Sequence, residues 1–191
     1  MREMGIQAVY PRPNTSRATP GNPVYPYLLK GLNIDHPNQV WSIDITYVPV
    51  KTDWLYLVAI IDWYSRYVLD WRISDCMEIG FVLETSHAAL SKATPEIMNS
   101  DQGSHFTSPQ YTGIFLDAGA KISMDHRGRA YDNIFIERLW RTVKYENVYP
   151  QAYERPRDAR IGINHYMNYY NRERPHSSLG YKTPEEIYFG S

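Results

Sequence analysis

The stretch Trp41-Ser-Ile-Asp-Ile-Thr-Tyr-Val48 alternates apolar and polar side chains, which is the period of a β-strand. After a turn at Lys51–Asp53 comes Leu55-Tyr-Leu-Val-Ala-Ile-Ile61, an unbroken apolar run typical of a strand buried on both faces. The next segment, Tyr67-Val-Leu-Asp-Trp-Arg-Ile73, alternates again. Three strands joined by short turns predict an antiparallel meander.

Beyond residue 75, helical patterns alternate with short strands. The predicted elements are a helix over 78–92, a strand over 95–98, a helix over 108–119, a strand over 121–124, a helix that Asp132 caps and that reaches about residue 146, a helix over 155–171, and a short helix that begins at Thr183. The order βββαβαβα predicts an α/β fold, in which helices pack on a mixed sheet.

The chain divides into three predicted regions. Residues 1–40 are rich in proline and lack a sustained apolar period, so we interpret them as an extended arm or linker. Residues 41–150 carry the alternating strands and helices of a core. Residues 151–191 are predicted to form a helical extension packed on that core.

Composition excludes several classes of protein. The 191 residues are 43% hydrophobic and 21% charged, which excludes wholesale disorder, and one cysteine excludes an internal disulfide framework. No apolar run is long enough to span a bilayer and no secretory signal opens the chain, so we expect a cytoplasmic protein with no membrane partner.

Charge is distributed unevenly although the total is only −1. Residues 41–120 carry a net charge of −6, whereas residues 121–174 carry +4. An acidic half followed by a basic half indicates either a cation site beside a phosphate-binding surface or ordinary solvated faces. The charge pattern by itself leaves both readings open.

Two aspartates occupy unusual positions. Asp44 stands inside a predicted strand, where aspartate is depleted, so it must lie at a sheet surface, form an ion pair or bind a cation. Asp101 follows the strand over 95–98, and catalytic residues often lie at the carboxyl ends of parallel strands. A plain Asx turn also accounts for an aspartate at this position. His105 lies four residues later, either near a metal site or as a histidine that stabilises the turn.

Glu137 lies in the predicted helix over 132–146, on the side opposite the apolar residues. An exposed Glu–Arg pair is the simpler reading of this face. Alternatively, the basic residues bind the phosphates of DNA. The DNA-binding candidates are Asn133, Arg141 and Lys144, which lie within about 40° of Glu137 on a helical wheel, and Arg127 and Arg129 in the preceding loop.

Three carboxylates from a strand, a strand end and a helix have a known chemical use. Mg²⁺ prefers oxygen ligands and takes a few carboxylates together with water and substrate phosphate. Two such ions clamp the attacking and leaving oxygens of a phosphoryl displacement. The sequence contains no phosphate-cradling glycine loop and no cluster of cysteine and histidine ligands that would favour another chemistry.

Several segments occur together in one order. They are Trp41-Ser-Ile-Asp44-Ile-Thr-Tyr, Ile61-Asp-Trp-Tyr-Ser65-Arg66, Ser100-Asp101-Gln-Gly-Ser, Ser123-Met-Asp-His-Arg-Gly128, Tyr131-Asp-Asn133, Glu137-Arg-Leu-Trp-Arg-Thr-Val-Lys144, and Tyr170-Asn171 followed by Arg174-Pro-His-Ser-Ser-Leu-Gly-Tyr-Lys-Thr-Pro184. The chain thereby resembles the integrase-type (Asp-Asp-Glu) catalytic core of bacterial insertion-sequence transposases, second-reading-frame type. Asp101 and Glu137 are separated by 35 residues, the spacing that names this class.

This resemblance implies a ribonuclease-H-like core, shared with retroviral integrases, with a mixed five-stranded sheet, helices on both faces and extra C-terminal helices. It implies a catalytic and metal-binding triad of Asp44, Asp101 and Glu137 that uses two Mg²⁺ (or Mn²⁺) ions for DNA cleavage and strand transfer. It further implies DNA as a partner, self-association, an upstream helix-turn-helix partner protein and a chain shortened at its N terminus. A catalytically silent DNA-binding remnant and a ribonuclease-H-like nuclease remain as alternatives.

Overall fold

A five-stranded sheet organises the computed structural model, which describes residues 23–51, 53–125 and 133–190. The strands lie in the order β3-β2-β1-β4-β5. The first three strands pair antiparallel, whereas β4 runs parallel to both β1 and β5. The strands are β1 (Val40–Val50), β2 (Asp53–Asp62), β3 (Val68–Ser74), β4 (Ile97–Ser100) and β5 (Lys121–Met124). The predicted meander and the mixed sheet are confirmed.

Helices cover both faces of this sheet. The helices are α1 (Ile79–Leu90), α2 (Pro109–Asp117), α3 (Ile134–Val143), α4 (Tyr149–Gln151), α5 (Pro156–Arg172) and α6 (Pro184–Phe189). Buried residues of α1 and α2 join one hydrophobic cluster, and those of α3 and α5 join another. None of the helices in the described ranges is both long and apolar enough to cross a membrane.

The interior strand β2, between β3 and β1, supplies side chains to both clusters. Leu57, Ala59 and Ile61 pack on the side of α3 and α5, whereas Val58 and Ile60 pack on the side of α1 and α2. All five are almost completely buried. The continuous apolar run of β2 follows from this arrangement, because a strand covered on both faces has no polar side.

Helix α3 differs from the predicted helix over 132–146. It begins at Ile134, with Asn133 at its N-cap, and ends at Val143. The chain then continues as a π-helical segment over Lys144–Val148. A π-helix is wider than an α-helix, so helical-wheel positions no longer apply beyond Lys144. The predicted cap Asp132 lies outside the described residues.

Two other helices begin as the sequence predicts. The Ser108 hydroxyl accepts a hydrogen bond from the backbone N–H of Tyr111 and caps α2. The Thr183 side chain and Glu186 form a reciprocal capping box at α6. Each interaction satisfies a backbone donor that a helix start leaves unpaired.

The N-terminal part of the described chain, residues 23–39, runs without helix or strand. Its Leu29 side chain is nevertheless buried against Val40, Trp63 and Ile97. The backbone N–H of Leu28 also donates to the Ser123 hydroxyl, 3.1 Å away. This segment therefore contributes to the core, and the domain boundaries at 40 and 150 stay predictions.

A side chain of α5 completes the start of β3. Asn171 is buried, its Oδ1 accepts from the backbone N–H of Val68, and its Nδ2 donates to the Val68 carbonyl, both at 2.9 Å. The Asn171 side-chain amide thus forms with Val68 the two hydrogen bonds that a neighbouring strand would otherwise form. This interaction links helix and sheet across 103 residues of sequence.

Asn171→Ala is expected to lower the free energy of unfolding by about 2–4 kcal/mol, because it leaves two buried backbone groups of Val68 without partners. Chemical denaturation measures this change. Asn168→Ala is the matched control, because Asn168 lies exposed on the same helix, and we expect an effect below about 0.5 kcal/mol. Equal effects of the two substitutions would contradict the structural role assigned to Asn171.

Candidate active site

The sheet brings two of the three predicted carboxylates to one place. Asp44 lies on the same face of β1 as Val48, which packs in the cluster under α3 and α5. Strands β1 and β4 are parallel, with Ser42 beside Asn99. Asp101 directly follows the end of β4 at Ser100, and its charge acts on Asp44, so the two carboxylates lie near each other. Neighbouring strands are about 4.8 Å apart.

Helix α3 adds the third carboxylate. The indole Nε1 of Trp140 donates a hydrogen bond to Asp44 Oδ2 at 2.9 Å, which fixes the helix over β1. Glu137 precedes Trp140 by three residues and therefore lies on the same side of the helix. Trp140 is buried, whereas Glu137 is exposed.

The charges of Asp101 and Glu137 both act on Asp44. The pKa of Asp44 is raised to about 7, first because its carboxylate is shielded from water and second because the charge of Asp101 repels it. The charge of Glu137 raises the pKa further, whereas hydrogen bonds from Trp140 and the Ile45 backbone lower it. The Asp44 carboxyl is therefore partly protonated near neutral pH.

The other two carboxylates also have raised pKa values. Desolvation is the cause at Glu137 and the largest cause at Asp101. The Gly103 backbone N–H donates to Asp101 Oδ1 at 2.8 Å, and this bond and the His105 charge lower the Asp101 pKa. A Cβ on Gly103 would lie 2.9 Å from that oxygen, so the residue must be small. The turn leaves Oδ2 of Asp101 for another partner.

The donor set fits a divalent cation. Carboxylates supply the hard oxygen ligands that Mg²⁺ prefers, and the pKa of Asp44 is raised first by burial and then by the negative charge of Asp101. Within the described ranges, however, no three His, Cys, Asp or Glu side chains lie close enough together to hold a metal ion. The gathering of Asp44, Asp101 and Glu137 around ions therefore stays a prediction.

The predicted DNA contacts have different surroundings. Arg141 is exposed, and Lys144 is half-buried near Asp44, whose charge partly offsets the lowering of the Lys144 pKa by burial. Asn133 is buried at the start of α3, and its Oδ1 has no hydrogen-bond partner among the described residues. Arg127 and Arg129 lie outside the described residues.

His105 lies beside the site but is held by another element. Its Nε2 is 3.0 Å from the carbonyl oxygen of Met77, and its hydrogen bond ties the turn after β4 to the segment before α1. The charge of the His105 ring lowers the pKa of Asp101. A position next to the metal ligands stays a prediction.

Sequence reasoning missed the role of Trp140. Trp140 falls within about 60° of Glu137 on a helical wheel, but the wheel alone assigns it no contact. Its three-residue spacing from Glu137 is the signal that would have identified it, because that spacing points the indole at the same strand. Its hydrogen bond to Asp44 makes it part of the site.

Family comparisons identify the class. One integrase core domain model matches residues 34–130, and a second integrase core domain model matches residues 118–184. A mixed five-stranded sheet with helices on both faces is consistent with both. The chain belongs to the integrase core domain family.

Its relatives narrow this class to insertion-sequence transposases. The chain is 37% identical over 155 residues to the transposase for insertion sequence element IS904 of Lactococcus lactis, covering 79% of this chain and 61% of that protein. It is 30% identical over 195 residues to the transposase InsF for insertion sequence IS3A of Escherichia coli, covering 98% of this chain and 67% of that protein. The predicted resemblance is confirmed.

Solved structures share the fold. The HTLV-2 integrase catalytic core domain in complex with magnesium matches with TM-score 0.58 and 21% identity, covering 82% of this chain and 98% of that chain. The catalytic core domain of BIV integrase matches with TM-score 0.63 and 17% identity, covering 80% of this chain and 95% of that chain. The ribonuclease-H-like fold is thereby confirmed.

Proposed function

We propose that this chain is the catalytic domain of a DNA transposase, which cleaves DNA and then joins the exposed 3′-hydroxyl to another DNA strand. The observation that carries the proposal is the position of Asp44 on β1, where Trp140 of α3 donates to its carboxylate and the charges of Asp101 and Glu137 act on it. The family and the transposase relatives support it. The chain spans only 55–61% of the length of the first three relatives, so the activity belongs to the proposal.

Asp44, Asp101 and Glu137 would hold the divalent metal, two ions of Mg²⁺ or Mn²⁺. When bound, such ions activate the attacking oxygen and stabilise the charge that develops on the phosphate. The magnesium complex of the HTLV-2 core supports this choice of metal.

The chain's own residues prepare the site for this metal. Trp140 holds Asp44 Oδ2, and the Gly103 N–H holds Asp101 Oδ1, so each aspartate keeps one oxygen in a fixed position. Fixed ligands reduce the reorganisation that metal binding requires. Asp44 must release its proton when metal binds, because a carboxylate ligates as the anion.

DNA would lie along the Glu137 side of α3. Arg141 and Lys144 would contact its phosphates there, and Arg127, Arg129 and Asn133 are further proposed contacts. Such contacts position the DNA without reading its sequence. Further proposed partners are a second copy of the chain and an upstream helix-turn-helix protein, and we propose a cytoplasmic location.

Replacing Arg141 and Lys144 with alanine is expected to weaken binding to every DNA sequence. The salt slope, which is the steepness with which the logarithm of DNA affinity falls with the logarithm of salt concentration, should decrease by about two, because each cation neutralises one phosphate. Filter-binding titrations from low to moderate salt measure the slope. The double variant Lys30→Ala, Lys121→Ala is the matched control, because both lysines are exposed and neither belongs to α3. An unchanged slope after removal of Arg141 and Lys144 would exclude this side of the helix as the DNA track.

Cleavage of supercoiled plasmid in Mn²⁺ tests the proposed function. We expect nicked products that end in a 3′-hydroxyl, and more cleavage of duplex DNA than of an RNA–DNA hybrid. Preferential cleavage of the hybrid would favour a ribonuclease-H-like nuclease. Binding of DNA with no cleavage in either Mg²⁺ or Mn²⁺ would indicate a catalytically silent remnant.

A further inference from the structure

A cavity of about 370 Å³ lies beside α3, and Glu137 is not among its lining residues. Its walls come from the turn between β2 and β3, from α3, and from the segment that follows α5. Its lining side chains include Arg66, Phe135, Arg138, Arg141, Arg174 and His176. Four of these six side chains are arginines, so the cavity is strongly basic.

A buried aspartate fixes the turn that carries Arg66. Asp62 Oδ1 accepts from the backbone N–H and the hydroxyl of Ser65, at 2.8 and 2.6 Å, and Asp62 Oδ2 accepts from the Asn38 N–H at 2.7 Å. Arg66 follows with a φ of 66°, a left-handed conformation that is rare for arginine. The turn thus directs this one side chain toward α3.

The Arg66 guanidinium forms no ion pair with a residue that the structure describes, although the charge of Asp62 acts on it. Its central carbon lies 3.6 Å from the centre of the Phe135 ring, and its Nη1 is buried with no hydrogen-bond partner in the described part of the chain. Burial lowers its pKa to about 10, so the group is still charged at neutral pH. A buried guanidinium N–H without an acceptor is costly, and a ligand oxygen would satisfy it.

The segment after α5 supplies the opposite wall. Arg174 donates two hydrogen bonds to Glu146, at 2.6 and 2.8 Å, which hold the segment against the π-helical turn. His176 lies next to Arg174, with Arg66 and Glu146 also facing it and the Tyr170 ring at 4.8 Å. The pKa of His176 is lowered to about 4 by burial and by the two arginines, so the ring is neutral.

The cavity has an excess of positive charge. Glu146 offsets Arg174, which leaves Arg66, Arg138 and Arg141 without an ion pair among the described residues. Arg141 lies four residues after Glu137, on the same side of α3, and it also lines the cavity. The basic surface is therefore continuous from the candidate active site to the cavity.

We propose that this cavity binds a phosphate group of the DNA backbone, with Arg66 and Arg138 as its ligands and His176 beside it. The inference rests on the proposed function, because DNA is the source of the phosphate. Planar guanidinium groups match phosphate oxygens in pairs, and the unpartnered Nη1 of Arg66 offers a donor already desolvated. The cavity would hold the DNA at a point beyond the reacting phosphate.

Binding of a 16-base-pair duplex in EDTA tests the inference without metal or cleavage. Arg66→Gln and Arg138→Gln are each expected to lower the salt slope by up to about 0.9, the loss of one phosphate contact. Arg72→Gln is the matched control, because Arg72 is exposed on β3, outside the cavity. Arg138 is exposed, so its variant keeps the test decisive if Arg66→Gln fails to fold.

Nitrogen NMR of the His176 ring gives a second measurement. A bound phosphate opposes the charges of Arg66 and Arg174, so DNA should raise the His176 pKa, and Arg138→Gln should reduce that rise. The inference would be overturned if both variants kept the wild-type salt slope of DNA binding. It would also be overturned if inorganic phosphate shifted the His176 pKa and DNA did not. Failure of the wild-type chain to bind DNA at all would instead overturn the proposed function.

Discussion

Asp101→Asn is expected to reduce metal-dependent DNA cleavage by about a thousandfold or more. A bound metal ion contributes several kcal/mol of transition-state stabilisation, and about 4 kcal/mol corresponds to three orders of magnitude in rate. Asparagine keeps the size of the side chain and an oxygen for the Gly103 N–H, so the turn after β4 should survive. Plasmid nicking at fixed Mn²⁺ concentration measures the loss.

DNA affinity separates a lost ligand from a damaged fold. Without metal, a carboxylate near phosphates repels them, so Asp101→Asn should bind DNA as tightly as the wild type or more tightly. Asp117→Asn is the control, because Asp117 is exposed at the end of α2. This variant should keep both DNA cleavage and DNA binding at the wild-type level. Normal cleavage by Asp101→Asn would remove Asp101 from the site.

Asp44→Asn is expected to stabilise the metal-free protein at alkaline pH. The Asp44 pKa rises from 3.8 in the unfolded chain to about 7 in the folded protein, so the folded state binds the proton more tightly. Wild-type stability should therefore fall as the pH rises from about 4 to about 7. At 1.36 kcal/mol per pKa unit, the ceiling of this loss is about 4 kcal/mol.

The variant should lose less stability than the wild type over that pH range, because asparagine carries no charge and its oxygen can still accept from Trp140. Chemical denaturation at pH 4, 6 and 8 measures the difference between the two proteins. Mg²⁺ should raise the melting temperature of the wild type at pH 8 but have little effect on Asp44→Asn. Parallel stability profiles of the two proteins would contradict the raised pKa of Asp44.

The fold could be predicted in large part because its signals are local. The apolar run of β2 and the alternation of β1 reflect which faces are covered, and the residues themselves carry that information. The caps at Ser108 and Thr183 depend on residues within one helical turn. The end of α3 was missed because the change to π-helical geometry at Lys144 has no comparable local signal.

The candidate site could be predicted only through its unusual residues. Asp44 was singled out by its place within a strand, and Asp101 by its place after one, while the order of motifs added Glu137; their role as metal ligands stays a prediction. The hydrogen bond from Trp140 to Asp44 spans 96 residues, and the cavity joins Arg66 to Arg174. Such contacts depend on how distant elements pack, which the periodicity of each element does not specify.

The parallel register between β1 and β4 restricts where the chain can change length. Inserting or deleting one residue within β4 before Asp101 would turn that carboxylate to the opposite face of the sheet, because side chains alternate along a strand. The same change in the loop between α2 and β5 would move no carboxylate of the site. We therefore expect length variation in this chain to be tolerated at loops such as 118–120 and to abolish activity within β4.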